Sequence, residues 1–411
     1  MQPDKEIYEI ILTGMSYGGD ALGNLPDGRV VFVPFALPGE HVRVQLTEEK
    51  RSFARARLLE VLNPSPERIT PRCRHFSYCG GCHYQHLPYE KQLEIKQAIL
   101  REQFLRIAGI DDPPVEKIVP SPAQWNYRNT VQFHLSPNGK LGYQASGSHR
   151  IVEISECHLP EENLNQLWPQ LELEPIAGLE RVELRQGAGD DAMLVLESHL
   201  IDTPELQIEL PTSVVHLSPA GALVLAGSDH VVMQVKDRAF QVSAGSFFQV
   251  NTSQAAAMVD ELMTNLPLSA TDTLLDVYCG VGLFSAFLAP KVKRCVAVEL
   301  SETACDDYAV NLDEFDNIEL YVGAAEIILP VLQLTTRVAV VDPPRAGLAR
   351  PALDALVHLA PEVIAYVSCD PSTLSRDARL LLEAGYRLTR CVPFDLFPQT
   401  YHIESISFFS K

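Results

Sequence analysis

At 411 residues the chain exceeds what one hydrophobic core supports, and a scale of about 150 residues per domain predicts two to four domains. Hydrophobic residues make up 46% and charged residues 21%, close to globular averages, which excludes a disordered or fibrous chain. No apolar run reaches the roughly 18 residues that cross a bilayer, and MQPDKEIYEI opens on acids where a signal peptide needs a basic and then an apolar stretch. The expectation is a cytoplasmic protein without a membrane partner.

The net charge of -20 is the wrong sign for a phosphate binder, but it is unevenly spread. Residues 1 to 150 hold 18 Lys and Arg against 16 Asp and Glu, leaving 15 against 37 in the remainder. Lys50, Arg51, Arg55, Arg57, Arg68, Arg72 and Arg74 make a local basic stretch that reads either as a phosphate-facing surface or as a solvated charged face.

Along the chain, residues 6 to 62 alternate apolar and polar positions between Gly, Asn, Asp and Pro turns, as in RVVFVPF and HVRVQL, the pattern of a small β-barrel. Pro64 and Pro66 mark a linker, a cysteine-rich segment follows, and PYEKQLEIKQAILREQFLRIAG predicts one long helix ending near Gly109. Residues 127 to 235 return to strands. From about residue 250 near-continuous apolar strands alternate with helices, which a parallel sheet covered on both faces requires. The predicted organisation is an N-terminal oligonucleotide-fold-like barrel over 1-64, a β-rich central domain over 65-240 whose helix 88-108 packs on the third domain, and a doubly wound α/β domain over 241-411.

Four motifs in the last domain carry chemistry. In LLDVYCGVGLFS, Gly280 and Gly282 permit a tight strand-to-helix turn beside a ligand, and Glu299 at the end of the next strand is placed to accept two ribose hydroxyls. The third glycine of the dinucleotide fingerprint is missing, which points away from NAD; the D-x-Y-C-G-x-G form followed by a strand and Glu resembles the S-adenosylmethionine motif of class I methyltransferases. In VAVVDPPRAGL, Asp342 and two prolines present a carboxylate on rigid backbone at the carboxyl edge of the sheet, able to hold a planar base, with Arg345 set to meet phosphate or balance charge. In VIAYVSCDPSTLSRD, Cys369 stands between a strand and a helix, where the helix dipole is expected to lower its pKa. In FDLFPQTYHIES, Glu404 is a carboxylate that can return to the active edge as a base. Cys279, Cys295, Cys305 and Cys391 are read as inert packing.

DVYCGVG, VDPPRAGL, YVSCDPSTLSRD and DLFPQTYHIE, in that order and preceded by SFFQVN at 246 to 251, closely resemble the RNA uridine-5-methyltransferase family. The resemblance implies Cys369 as nucleophile, Glu404 as base, and Gln249, Tyr278, Gly280, Gly282, Glu299 and Asp342 lining the cofactor and substrate site. Carbon 5 of uracil is a weak nucleophile, so thiolate addition at carbon 6 is needed to make an enolate that takes the methyl. The target base must also leave its stack. The chain departs from the family at Leu283, where several members have Asn, at Ala324 and Ala325, where a polar adenine contact is common, and at Asp370, where Asn is common.

Cys73, Cys79 and Cys82 stand in C-x5-C-x2-C spacing, with Cys157 as a candidate fourth ligand, and four thiolates suit either zinc or an iron-sulfur cluster. Zinc leads on ligands alone; the resemblance shifts the expectation to a 4Fe-4S cluster. The N-terminal barrel resembles a TRAM domain, whose Tyr17, Phe32, Phe35 and Phe53 are placed either to stack on bases or to fill the barrel. The resemblance implies a monomer that binds RNA, with 23S ribosomal RNA favoured over the T-loop of transfer RNA. The rival readings fit less well. A non-catalytic RNA-binding protein would have lost the nucleophile or base, a radical S-adenosylmethionine enzyme needs C-x3-C-x2-C, and a DNA cytosine methyltransferase places its cysteine after a proline, where this chain has Ser368.

Overall fold

A computed structural model describes residues 6-173, 177-202 and 211-411. Residues 1-5, part of the stretch on which the leader reading rests, lie outside them. Strands Ile7–Met15, Ala21–Asn24, Val30–Val33, His41–Glu49 and Phe53–Asn63 close into a barrel. The two-residue period sets its lining: Val42, Val44 and Leu46 point inward, and the residues between them face outward. The barrel ends on Glu40, which is fully buried and accepts from Arg68 Nε at 2.6 Å and from Leu37 N at 2.8 Å.

That pair removes Arg68 from the expected basic face, and its neighbours are also engaged. Arg55 meets Asp20 at 3.2 Å, Lys50 meets Glu48 at 3.0 Å, Arg74 meets Glu156 at 3.3 Å, and Arg72 lies over the Trp125 ring. Four of the seven basic residues, Lys50, Arg55, Arg68 and Arg74, are thus held in local ion pairs.

The predicted long helix runs over Tyr89–Gln103, loosens into a π turn over Phe104–Ala108 and stops at Gly109, whose φ of 73° provides the left-handed cap. The central unit is a seven-stranded sheet in spatial order Gly221–Ala226, Ser213–Ser218, Ala192–Ser198, Leu179–Gln186, Thr130–Leu135, Leu141–Gln144, Ile151–Glu153. Its core holds Phe133, Trp168 and Leu184. The hairpin His230–Val235 and Arg238–Ser243 packs its Val231, Met233, Phe240 and Val242 into one apolar cluster with Met258, Leu274 and Val340. A boundary at residue 240 falls inside a strand of this hairpin, because strand texture alone does not reveal which core a hairpin joins.

The last unit is a sheet of strands β1 (Thr273–Val277), β2 (Arg294–Glu299), β3 (Ile318–Val322), β4 (Val338–Val341), β5 (Val363–Ser368), β6 (Arg387–Phe394) and β7 (Glu404–Ser410). Their order is β3-β2-β1-β4-β5-β7-β6, with β7 antiparallel to both its neighbours. The order reverses beside β1, so the carboxyl ends of β1 and β4 open the crevice where ligands bind in such sheets. Among the described residues no helix is long and apolar enough to cross a membrane.

One apolar cluster joins barrel, helix and sheet: Leu12, Val31 and Val44 belong to it together with Leu100, Phe104, Val277 and Val341. Within that junction Lys96 of the helix and Asp395 are both 0% exposed, their Nζ and Oδ1 2.5 Å apart, and Nζ also donates to Phe397 O at 3.0 Å. Burial pushes the Lys96 ammonium down and Asp395 opposes it. Gln92, one turn earlier, donates to Gln399 Oε1 at 3.0 Å and accepts from Gln399 N at 3.0 Å. Lys96→Ala leaves a buried carboxylate without its partner, so a loss of about 3–5 kcal/mol is expected from chemical denaturation. A loss below about 1 kcal/mol, the range of a surface pair, contradicts this.

Candidate active site

The end of β1 turns sharply. Tyr278 takes φ 64° and donates its N–H to Val298 O, and Gly280 follows at φ 53°. A Cβ on Gly280 would meet nothing within 4 Å, so this glycine faces open space. Gly282 differs. A Cβ there would stand 2.3 Å from Leu312 Cδ1, so its role is close packing on the helix Glu302–Asn311, and it does not line the cavity. Of the two glycines, Gly280 alone lines the cavity.

Glu299 ends β2 and clamps the turn: its carboxylate accepts from Gly280 N at 3.0 Å and from Leu300 N and Ser301 N at 2.8 Å. Asp276, fully buried one strand away, accepts from Ser285 Oγ at 2.6 Å while its second oxygen has no partner. Burial raises its pKa to about 6.

These elements enclose a cavity of about 610 Å³. Of the predicted residues, Gln249, Tyr278, Gly280, Glu299, Asp342, Cys369 and Glu404 all line it. Leu283, Ala324 and Ala325 line it too, giving an apolar wall where a polar contact was anticipated. Sequence reasoning missed Phe247 and Phe397, although both lie in quoted motifs; Phe247 is 70% exposed at the rim. It also missed Asp307, which looks like an ordinary charged helix residue. Asp307 is fully buried and accepts from Ser243 N, Ser243 Oγ and Ser246 Oγ at 2.6–2.8 Å, which fixes the loop that delivers Gln249.

The electrostatics of the reacting end differ from expectation. Cys369 was expected to have a depressed pKa; instead burial, then Glu404 and Asp342, push the thiol up to about 12, with Arg345 opposing. The helix terminus does not compensate, because Asp370 Oδ1 already accepts the N–H groups of Ser372 and Thr373 at 2.9 Å. Burial likewise raises Asp342 to about 7, with Asp276 and Glu299 adding to it, and lifts Glu404 well above the carboxylate range, with Asp342 adding to it. The site therefore holds a thiol and two carboxyls that resist ionising together.

A second, polar cavity of about 580 Å³ adjoins the first through Arg345 and is lined by barrel residues Tyr17, Phe32 and Arg55, by Gln144, and by Tyr401 and His402. Of the four aromatics considered for base stacking, Tyr17 packs edge-on to Tyr401 and Phe35 edge-on to Phe76. Phe32 and Phe53 pack on one another, with Arg55 over Phe32.

Cys73, Cys79, Cys82 and Cys157 converge on a third, small cavity. Gly80 is needed beside them, since a Cβ there would lie 2.6 Å from Gln144 O, to which its own N–H donates. Among the described residues no group of three or more His, Cys, Asp or Glu is spaced to hold a single metal ion. Cys279, Cys295, Cys305 and Cys391 are all buried.

Two family models match the chain: tRNA (uracil-5-)-methyltransferase over residues 218-411 and TRAM domain over residues 5-59. An uncharacterized RNA methyltransferase of Synechocystis is 33% identical, the match covering 97% of this chain and 94% of that protein. The chain belongs to the RNA uracil-5-methyltransferase family. Another member, an uncharacterized RNA methyltransferase of Clostridium tetani, is 30% identical over 97% of this chain and 95% of its own length. Among solved structures, the tRNA (uracil-54, C5)-methyltransferase of Pyrococcus abyssi, in complex with S-adenosyl-L-homocysteine, superposes with a TM-score of 0.76. It is 25% identical and is matched over 98% of this chain and 99% of that one. Family membership makes the protein an RNA methyltransferase, and its first strands a TRAM barrel.

The raised carboxyls predict how this methyltransferase responds to pH. Asp342, at 3.8 when unfolded and about 7 when folded, binds its proton more tightly in the native state. Its contribution is full below about pH 4 and is lost as pH rises through about 7. Thermal melts of Asp342→Asn should show a smaller drop in Tm between pH 5 and pH 8 than the parent does; an equal drop contradicts the assignment.

Proposed function

We propose that the protein methylates carbon 5 of a uridine in 23S ribosomal RNA, from S-adenosylmethionine, through a covalent adduct between Cys369 and carbon 6. The observation that carries this reading is the meeting of Cys369, Glu404 and Asp342, from three different strand ends, on one cavity that also contains the glycine turn. The cofactor fits the turn at the open space beside Gly280, which a Cβ would fill and which lies on the cavity. Glu299 and Gln249 line the part that would hold its nucleoside and amino-acid ends. Bound there, it supplies an electrophilic methyl on a positively charged sulfur.

The residues divide the work as follows. Asp342 holds the uracil edge. The Cys369 thiolate adds to carbon 6, which turns carbon 5 into the nucleophilic end of an enolate. After carbon 5 has gained the methyl, the Glu404 carboxylate removes the carbon 5 proton and the enolate expels the thiolate. A raised pKa suits that last step, because an ionised Glu404 is a strong base in this setting. Arg345, which opposes the raised pKa of both Cys369 and Glu404, stabilises the charged forms that the cycle needs.

Four thiols around one cavity suit zinc or a 4Fe-4S cluster alike, and the motif resemblance is what favours the cluster. Cys73, Cys79, Cys82 and Cys157 would hold it and so tie the segment before the long helix to the central sheet. The TRAM barrel and this cysteine set favour ribosomal RNA. The end-to-end likeness to the Pyrococcus abyssi transfer RNA enzyme favours a second reading, the T-loop uridine of transfer RNA.

Mapping 5-methyluridine in ribosomal and transfer RNA from cells with and without the protein decides between the two targets, and no change in either pool refutes both. Cys369→Ala is expected to abolish turnover, and Glu404→Gln to accumulate a protein-RNA adduct stable to denaturing electrophoresis; a Cys369→Ala enzyme that still methylates would refute the nucleophile. Anaerobically purified protein should contain about four irons per chain with matching sulfide. One zinc per chain would replace the cluster reading.

A further inference from the structure

The barrel reaches the reacting end of the catalytic unit at one turn. Ser16 to Asp20 forms a tight loop, closed by Ser16 N donating to Asp20 O at 2.9 Å. Gly19, at φ 89°, lets it approach so closely that a Cβ would lie 3.2 Å from His83 Cβ and 3.3 Å from Tyr401 Cβ. Tyr17, beside it, lays its ring edge-on to Tyr401 and donates its hydroxyl to Asp370 Oδ2 at 3.0 Å. Asp370 follows Cys369 directly, and its other oxygen caps the helix Pro371–Glu383 through Ser372 N and Thr373 N. Thr373 Oγ1 in turn donates to Arg345 O at 3.0 Å.

We propose that Tyr17 of the TRAM barrel is a positioning residue for methyl transfer: by holding the Asp370 carboxylate it fixes the backbone of Cys369 and the loop that carries Arg345. This rests on Cys369 being the nucleophile. Half of the carboxylate is committed to the helix cap, so the tyrosine hydroxyl determines how the other half, and with it the strand-to-helix turn, is oriented. Burial and the neighbouring Asp370 push the phenol up, so it remains a hydrogen-bond donor across the working pH range. The same barrel turn abuts Tyr401, three residues before Glu404, so one loop bears on the chain segments of both thiol and base. The contact also gives Asp370 a partner that its family-typical replacement, an amide, would meet with one fewer acceptor.

Tyr17→Phe removes the hydroxyl and keeps the ring. Single-turnover methyl transfer is measured with labelled S-adenosylmethionine and total RNA from cells lacking the protein. A hydrogen bond to a charged group, and the misplacement its loss allows, lead us to expect a roughly tenfold fall in rate at saturating RNA. The half-saturating RNA concentration and the Tm should stay within about twofold and about 2 °C of the parent. Asp370→Ala should lose more, because it also removes the cap, and the double variant should be no slower than Asp370→Ala, as expected of two groups acting through one contact. A parental rate for Tyr17→Phe, losses that multiply in the double variant, or a defect confined to RNA binding would overturn the proposal. Cys369→Ala in the same assay separates the cases: if it turns over, the nucleophile reading fails. If it is inert while Tyr17→Phe is fully active, only the positioning role fails.

Discussion

A lysine and an aspartate with no access to solvent hold the molecule's working loop in place. Lys96 and Asp395 lie on different units of the chain, and the segment that begins at Asp395 carries Phe397 to the cavity wall, Gln399 to the helix and Glu404 to the site. An isolated buried charge is costly, so each of the pair constrains where the other can be. Gln399 adds a backbone constraint at φ 68°, accepting from the N–H groups of His83 and Tyr84 through its carbonyl. The segment that carries Glu404 to the cavity is thus anchored by a helix almost 300 residues earlier in sequence.

The architecture was readable where local chemistry and architecture agree. Alternating valines announced the barrel, Gly109 the end of the helix, and the glycine turn after LLDV the cofactor edge of the sheet. The seven predicted lining residues that do reach the cavity came from motifs in which the backbone itself is specified: a glycine that must take positive φ, a proline pair, a cysteine at a strand end. What stays hidden concerns partners rather than elements. Nothing local distinguishes Arg68, committed to Glu40, from an arginine awaiting phosphate, or Asp307, which gathers four hydrogen bonds, from a solvated acid. Gly282 looked like a ligand glycine and is a packing glycine, because the residue it makes room for, Leu312, lies thirty positions away.

Cys369 shows the same limit in its electrostatics. A cysteine before a helix suggests a stabilised thiolate, yet the residue after it consumes the helix N–H groups, and burial beside Glu404 and Asp342 opposes ionisation of the sulfur. The free site is therefore poised in its neutral form.

The apolar cluster that runs from the barrel through the long helix to the catalytic sheet has a mechanical consequence. Domains that open and close around a ligand need a wet or loosely packed seam along which to hinge, and here the seam is filled with Leu12, Leu100, Phe104 and their neighbours. Parting the barrel from the catalytic sheet would expose that shared core to water, so a base that lies within a stack has to leave it to enter the cavity.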